Sequence, residues 1–173
     1  FMVGQALSAM AFIIVCVALL GGAPPLSRVL GKEQVHDLGK LMLAFVMLWA
    51  YLSFSQYLII WSGNLPEEIP WYLQRVTGGW GVVAILLVVG HFMLPFTLLL
   101  SRNLKRNMPR IAIVAAFILV MRLVDLVWLV APSVQHAAAV RGGAHAAGGF
   151  PIHWMDLAIP IGLTAVWLFL FTR

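Results

Sequence analysis

The chain has 173 residues, 62% of them hydrophobic and 10% charged, against roughly 25% charged in soluble domains, which excludes a water-exposed globular domain as its main content. Its 11 Lys and Arg outnumber 6 Asp and Glu, but they are spread over the connections between apolar runs, which argues against a nucleic-acid surface. A lone cysteine, Cys16, excludes an internal disulfide and an iron–sulfur ligand set, and no Cys-x-x-Cys-His run is present for covalent haem.

Five apolar segments are long enough to cross a hydrocarbon core of about 30 Å, which takes about 20 helical residues. They lie near residues 1–20, 40–61, 79–100, 111–131 and 153–172. The connections are too short for a soluble domain, so the expected fold is all-α: one polytopic transmembrane helix bundle over residues 1–173. Phe1 starts directly in an apolar run, without the basic region or small-residue cleavage site of a signal peptide, so a chain truncated at its N-terminus is expected. Eight Lys and Arg fall on one set of alternate connections and ends, two on the other, and Arg122 lies inside a span. The positive-inside rule therefore puts Phe1 on the outer face and Arg173 on the cytoplasmic face. Membrane lipids are the expected surroundings, and anionic headgroups are natural neighbours of the basic side.

The first segment ends at Gly21-Gly22-Ala23-Pro24-Pro25, a strong breaker. The polar connection after it brings Glu33, His36 and Asp37 close together, as a solvated loop, a short interfacial helix or a proton-collecting surface. In the second segment Trp49, Ser53, Gln56 and Ile60 share one helical face. Gln56 must find partners in protein or water, either as an interhelical bond or as part of a ligand cavity.

The outer connection 62–78 reads as an interfacial helix, with Asn64 as its cap, Pro66 near its first turn and Glu67 and Glu68 at its positive end. Trp71 and Tyr72 suit the headgroup level. Glu67, Glu68, Trp71 and Tyr72 are accordingly candidates for membrane anchoring or for docking a partner subunit. The third segment contains His91 and Pro95, and Pro95 must free a carbonyl in the preceding turn. The basic connection 101–110 marks the inner side. The last connection, from Pro132, is rich in Ala and Gly and reads as a disordered connector; His136 and His145 in it are a weak metal signal.

Polar residues inside the spans carry the functional reading. Arg122 and Asp125 are three residues apart on one helical face and can neutralise each other, and each charge costs at least about 2.5–3.5 kcal/mol near the bilayer centre. At about 1.5 Å per residue, Asp156 lies roughly 5 Å and Asp125 roughly 9 Å below the outer edge, with Arg122 near the middle and His91 roughly 10 Å from the inner edge. If their faces converge, His91, Arg122, Asp125 and Asp156 form a polar ladder suited to protons, because carboxylate and imidazole pKa values can be tuned by burial. The bland alternative is a structural ion pair. No metal or cofactor site is expected in the chain itself, since only His91 of the five histidines lies well inside a span.

The runs FSQYLIIWSGNLPEEIPWYLQR (54–75), GGW (78–80), HFMLPFTLLLSR (91–102) and HWMD (153–156) resemble a membrane subunit of alternative complex III, the bacterial quinol:electron-acceptor oxidoreductase unrelated to cytochrome bc1. That subunit is similar to polysulfide-reductase (NrfD)-type proteins, and the likeness extends over most of residues 40–173. The resemblance implies a fold of about ten transmembrane helices with two four-helix bundles, of which the five spans here form the C-terminal half. It also implies partner subunits that carry c-type haem and iron–sulfur clusters, quinol as substrate of the complex, and location in the bacterial inner membrane. The subunit resembled holds no redox cofactor, is not catalytic alone and conducts protons, which agrees with the missing haem and cluster ligands. His91, Arg122, Asp125 and Asp156 fall in the motif-bearing helices.

Other functions remain open on the sequence. A quinol-binding subunit proper would use Gln56, His91 and Asp156 around an apolar slot. Half of a secondary transporter would need broken helices near the midplane, for which only Pro95 is a hint. A purely structural anchor would use residues 62–77 to hold peripheral redox subunits.

Overall fold

In the computed structural model residues 1–22, 31–77 and 79–142 are described, together with the isolated helical positions Ala158, Gly162, Ala165, Val166, Phe169 and Leu170. The elements are α1 (Met2–Leu20), α2 (Lys32–Gly63), the short α3 (Ile69–Val76), α4 (Trp80–Leu100), a single turn α5 (Arg102–Lys105) and α6 (Met108–Gly142). Among the described residues there is no strand, and four helices are long and apolar enough to cross a membrane: α1, α2, α4 and the Met108–Val134 part of α6. The chain is membrane-embedded. The expected fifth span, 153–172, and Asp156 with it, lie outside the continuously described residues.

Helix–helix burial follows the spacing of small and branched side chains. Leu7, Met10, Ala11 and Ile14 of α1 meet Val35, Met42 and Val46 of α2 and Ile111, Val114, Ala115 and Ile118 of α6, with Leu99 of α4 closing the core. On α2 the buried positions Val35, Gly39, Met42 and Val46 recur at intervals of three and four, one side of a helix. Gly39 permits the closest approach: a Cβ there would sit 2.8 Å from Ile111 Cδ1 and 2.8 Å from Lys105 Cγ. Much of the remaining surface is apolar and exposed, including Phe12, Tyr51, Phe54, Ile59, Val82, Ile85 and Ile113, as expected for side chains that face lipid or further protein.

Three boundaries differ from the sequence reading. First, α2 starts at Lys32 and not near residue 40. The polar turn 32–40 continues the helix beyond the apolar run, and the Gln34 side chain accepts the Gly31 N–H at 3.0 Å. Second, Asn64 does not open the outer helix. It closes α2 in the left-handed conformation, φ 47°, while α3 begins after Glu68 with Pro70 in its first turn. Third, α6 runs through Pro132 to Gly142, so the connector expected from Pro132 is helical as far as Gly142. Its Ala-rich run 137–139 favours helix strongly.

α4 is not a uniform α-helix. Residues Leu87–Met93 form a π-helical turn, and the Leu94 N–H donates to Val89 O, five residues back. Pro95 cannot donate to the carbonyl four residues before it, that of His91. The widened turn ends just before the proline and accommodates that missing bond. It is the break that Pro95 suggests in the sequence, and it carries His91.

Candidate functional site

The stripe of α6 that builds the core continues into its polar residues. Ile111, Val114, Ala115, Ile118, Met121, Arg122 and Asp125 are all buried at helical spacing, so both charges face protein and not lipid. Arg122 and Asp125 are each 4% exposed. The Arg122 guanidinium donates to the Asp125 carboxylate as an ion pair and to the Phe1 carbonyl at 3.3 Å, and it lies 5.6 Å from the Phe1 ring centroid.

Space for that guanidinium comes from α1. A Cβ placed on Gly4 would run into the Arg122 guanidinium, so glycine is the residue that lets α1 and the cation occupy the same place. Nothing in the apolar run 1–20 announces this role beforehand; Gly4 reads there as an ordinary small residue.

Trp49 connects the pair to the π-turn. Its ring lies 4.3 Å from the His91 ring at an interplanar angle of 44°, and its side chain is among the groups that act on the Asp125 carboxylate. His91 is fully buried, and neither ring nitrogen makes a hydrogen bond of good geometry among the described residues. The backbone of Met121, on α6, also acts on it. Gly90, beside it, admits the Met121 side chain: a Cβ there would be 2.8 Å from Met121 Cε.

Arg122, Asp125 and His91 thus join through Trp49 in one cluster fed by α1, α2, α4 and α6. Of the four expected ladder residues these three come together, while Asp156 lies outside the described residues. Gln56 sits two turns beyond Trp49 on an exposed part of α2 and does not enter the cluster. The cluster can hold a carboxylate ionised beside a permanent cation, and it presents an imidazole with unused hydrogen-bonding capacity. A buried histidine without partners is costly, and such sites are where water, substrate or a proton is accommodated.

A second polar site lies at the far end of α6. Arg75 of α3 is fully buried, donates to Trp71 O at 2.8 Å, to Leu129 O at 2.6 Å and to Ser133 Oγ at 2.6 Å, and lies 3.6 Å from the Trp71 ring centroid. Pro132 cannot donate to the carbonyl of Trp128, which loosens this turn of α6, and Arg75 bonds the next carbonyl along. Burial lowers the Arg75 pKa from its ordinary value, with the neighbouring Tyr72 acting the other way; the guanidinium stays charged. The sequence singles out Arg75 only as one of the few charges of the outer connection 62–78. The signal that marks it is its spacing of four from Trp71 on a helix.

The candidate docking residues divide. Glu67 and Glu68 are exposed. Trp71 and Tyr72 are half-buried and already occupied: Trp71 packs edge-on against Tyr72 at 4.7 Å and Trp128 at 6.0 Å, and Tyr72 against Tyr57 at 5.5 Å. They fasten α3 to α2 and α6.

Among the described residues no group of three or more His, Cys, Asp or Glu is placed to hold a metal ion. Comparison with known protein families finds no family model that matches the chain, and comparison with curated proteins finds no match.

Proposed function

We propose that the chain is an integral membrane subunit of a quinol-oxidising respiratory complex of the alternative complex III type, NrfD-like, and that it conducts protons through the Arg122–Asp125–Trp49–His91 cluster. The observation that carries the proton role is a buried Arg122–Asp125 ion pair in the same bundle as a buried histidine with unfilled hydrogen-bonding positions, with Trp49 against that histidine and acting on Asp125. Ionisable groups inside a membrane bundle are expensive, and those retained at an interior junction of four helices mark ion or proton pathways. The respiratory setting rests on the motif resemblance of residues 54–75, 78–80, 91–102 and 153–156.

In this reading Asp125 exchanges the proton, Arg122 sets its charge state and excludes cations, Trp49 holds the carboxylate toward the π-turn, and His91 is the next acceptor. Asp156 is the outer member of the path. The c-type haem and iron–sulfur clusters belong to partner subunits in the bacterial inner membrane, with the basic connection 101–110 cytoplasmic and the N-terminal end of this sequence periplasmic. Exposed Glu67 and Glu68 are the docking residues offered to those partners.

A second reading is favoured by one observation. The His91 nitrogens without partners are what a quinol hydroxyl would require as acceptor, which makes the same cluster the place for a quinol.

Purification of the full-length protein from its native membrane tests the setting. Co-purifying c-type haem spectra and iron–sulfur paramagnetic signals with quinol-dependent electron transfer support it. A colourless protein that purifies alone overturns it and brings the transporter reading forward.

A further inference from the structure

The basic end of the bundle carries an open recess of about 460 Å³ lined by Lys32, Asn103, Arg106, Asn107 and Met108. Lys32 is the first residue of α2, and Asn107 immediately precedes α6, so the N-termini of two helices of 32 and 35 residues open beside it and add positive potential to its cations. The surrounding charge has the same sign. Lys40, Lys105 and Arg106 all act on His36, and the stem of Lys105 is fixed across Gly39.

The carboxylates at this end do not neutralise the recess. Asp37 pairs with Lys40 at 3.0 Å. Among the described residues no carboxylate lies within ion-pair distance of Lys32, Lys105 or Arg106, and Glu33, in the first turn of α2, forms no ion pair either. α4, which leads into this connection, ends on an exposed apolar side chain, Leu100.

We propose that this recess binds the phosphate of an anionic phospholipid, with the acyl chains leaving toward the apolar surface that begins at Leu100. Lys32 and Arg106 supply charge, and the amides of Asn103 and Asn107 supply neutral donors to the phosphodiester oxygens. A zwitterionic headgroup brings an ammonium into the same cationic recess, so phosphatidylglycerol is selected over phosphatidylcholine. Basic pockets between transmembrane helices on the cytoplasmic side recur as anionic-lipid sites. The proposal stands on the membrane embedding alone and does not depend on the quinol reading.

The test uses the full-length protein purified from its native membrane, stripped of lipid by detergent washing, and titrated with phosphatidylglycerol and phosphatidylcholine that carry the same fluorescent tail. Tighter binding of phosphatidylglycerol is expected, weakened about fivefold by Lys32→Gln and by Arg106→Gln. Arg102→Gln removes an exposed charge from the same connection but outside the recess, and should leave binding unchanged. Equal binding of the two lipids overturns the proposal. So does equal weakening by Arg102→Gln and Arg106→Gln, which signals diffuse charge without a site. Displacement of the lipid by millimolar inorganic phosphate as efficient as by phosphatidylglycerol itself assigns the recess to free phosphate instead.

Discussion

The ring of His91 packs 4.3 Å from the indole of Trp49, whose side chain also acts on the Asp125 carboxylate. One aromatic side chain of α2 therefore joins the π-turn of α4 to the charged stripe of α6. Trp49→Phe keeps a ring beside His91 and removes the N–H. The expected loss of stability is small, about 0.6–2 kcal/mol as for hydrogen bonds within membrane bundles, with proton conduction reduced more than assembly. Thermal unfolding of the detergent-purified protein and proton flux in liposomes separate the two effects.

Removing one member of the Arg122–Asp125 pair leaves the other charge buried alone. Arg122→Leu or Asp125→Leu should each cost about 3–5 kcal/mol, and the double substitution should recover most of that loss, because buried pairs replaced by apolar residues are often close to neutral. Folding yield and detergent unfolding of the three variants check it. A double variant as damaged as either single one contradicts a self-contained pair.

Gly4 leaves room for Arg122. Gly4→Ala should cost about 1–3 kcal/mol as overpacking, and that cost should largely vanish when Arg122 is also replaced by Ala, since the added methyl then enters vacated space. The stability cycle over wild type, the two single variants and the double variant measures this coupling directly.

Much of this arrangement is legible in the sequence, for physical reasons. Hydropathy locates the four described spans because a lipid-facing helix is apolar along its whole length. The spacing of Arg122 and Asp125 announces their pairing, and Pro95 announces the disturbed turn that carries His91. What was not legible depends on neighbours far along the chain. Gly4 and Arg122 are 118 positions apart, and only helix packing shows that one exists to admit the other. Arg75 does not stand out in the sequence because nothing local reveals that the Pro132 turn of α6 lies beside it. The start of α2 and the end of α6 were misplaced because polar and Ala-rich turns can extend a helix beyond its apolar run.

Arg75 holds α3 against α6. Arg75→Lys keeps the charge but loses the forked geometry that reaches Leu129 O and Ser133 Oγ together. Faster hydrogen exchange confined to residues 64–77 and 128–134 is expected, with the rest of the bundle unchanged. Protection equal to wild type in both segments would show that the aromatic contacts of Trp71 and Tyr72 are sufficient to hold α3.

The most direct measurement is proton translocation by the reconstituted native assembly carrying Asp125→Asn, with electron transfer from quinol followed in the same liposomes. Asn keeps the size and one acceptor oxygen while removing the exchangeable charge, and assembly of the variant is checked alongside because Arg122 loses its counter-charge. With normal assembly, the expected result is proton translocation per electron reduced severalfold. An unchanged ratio in a correctly assembled variant contradicts a proton path through Asp125 and leaves the Arg122–Asp125 pair as structural.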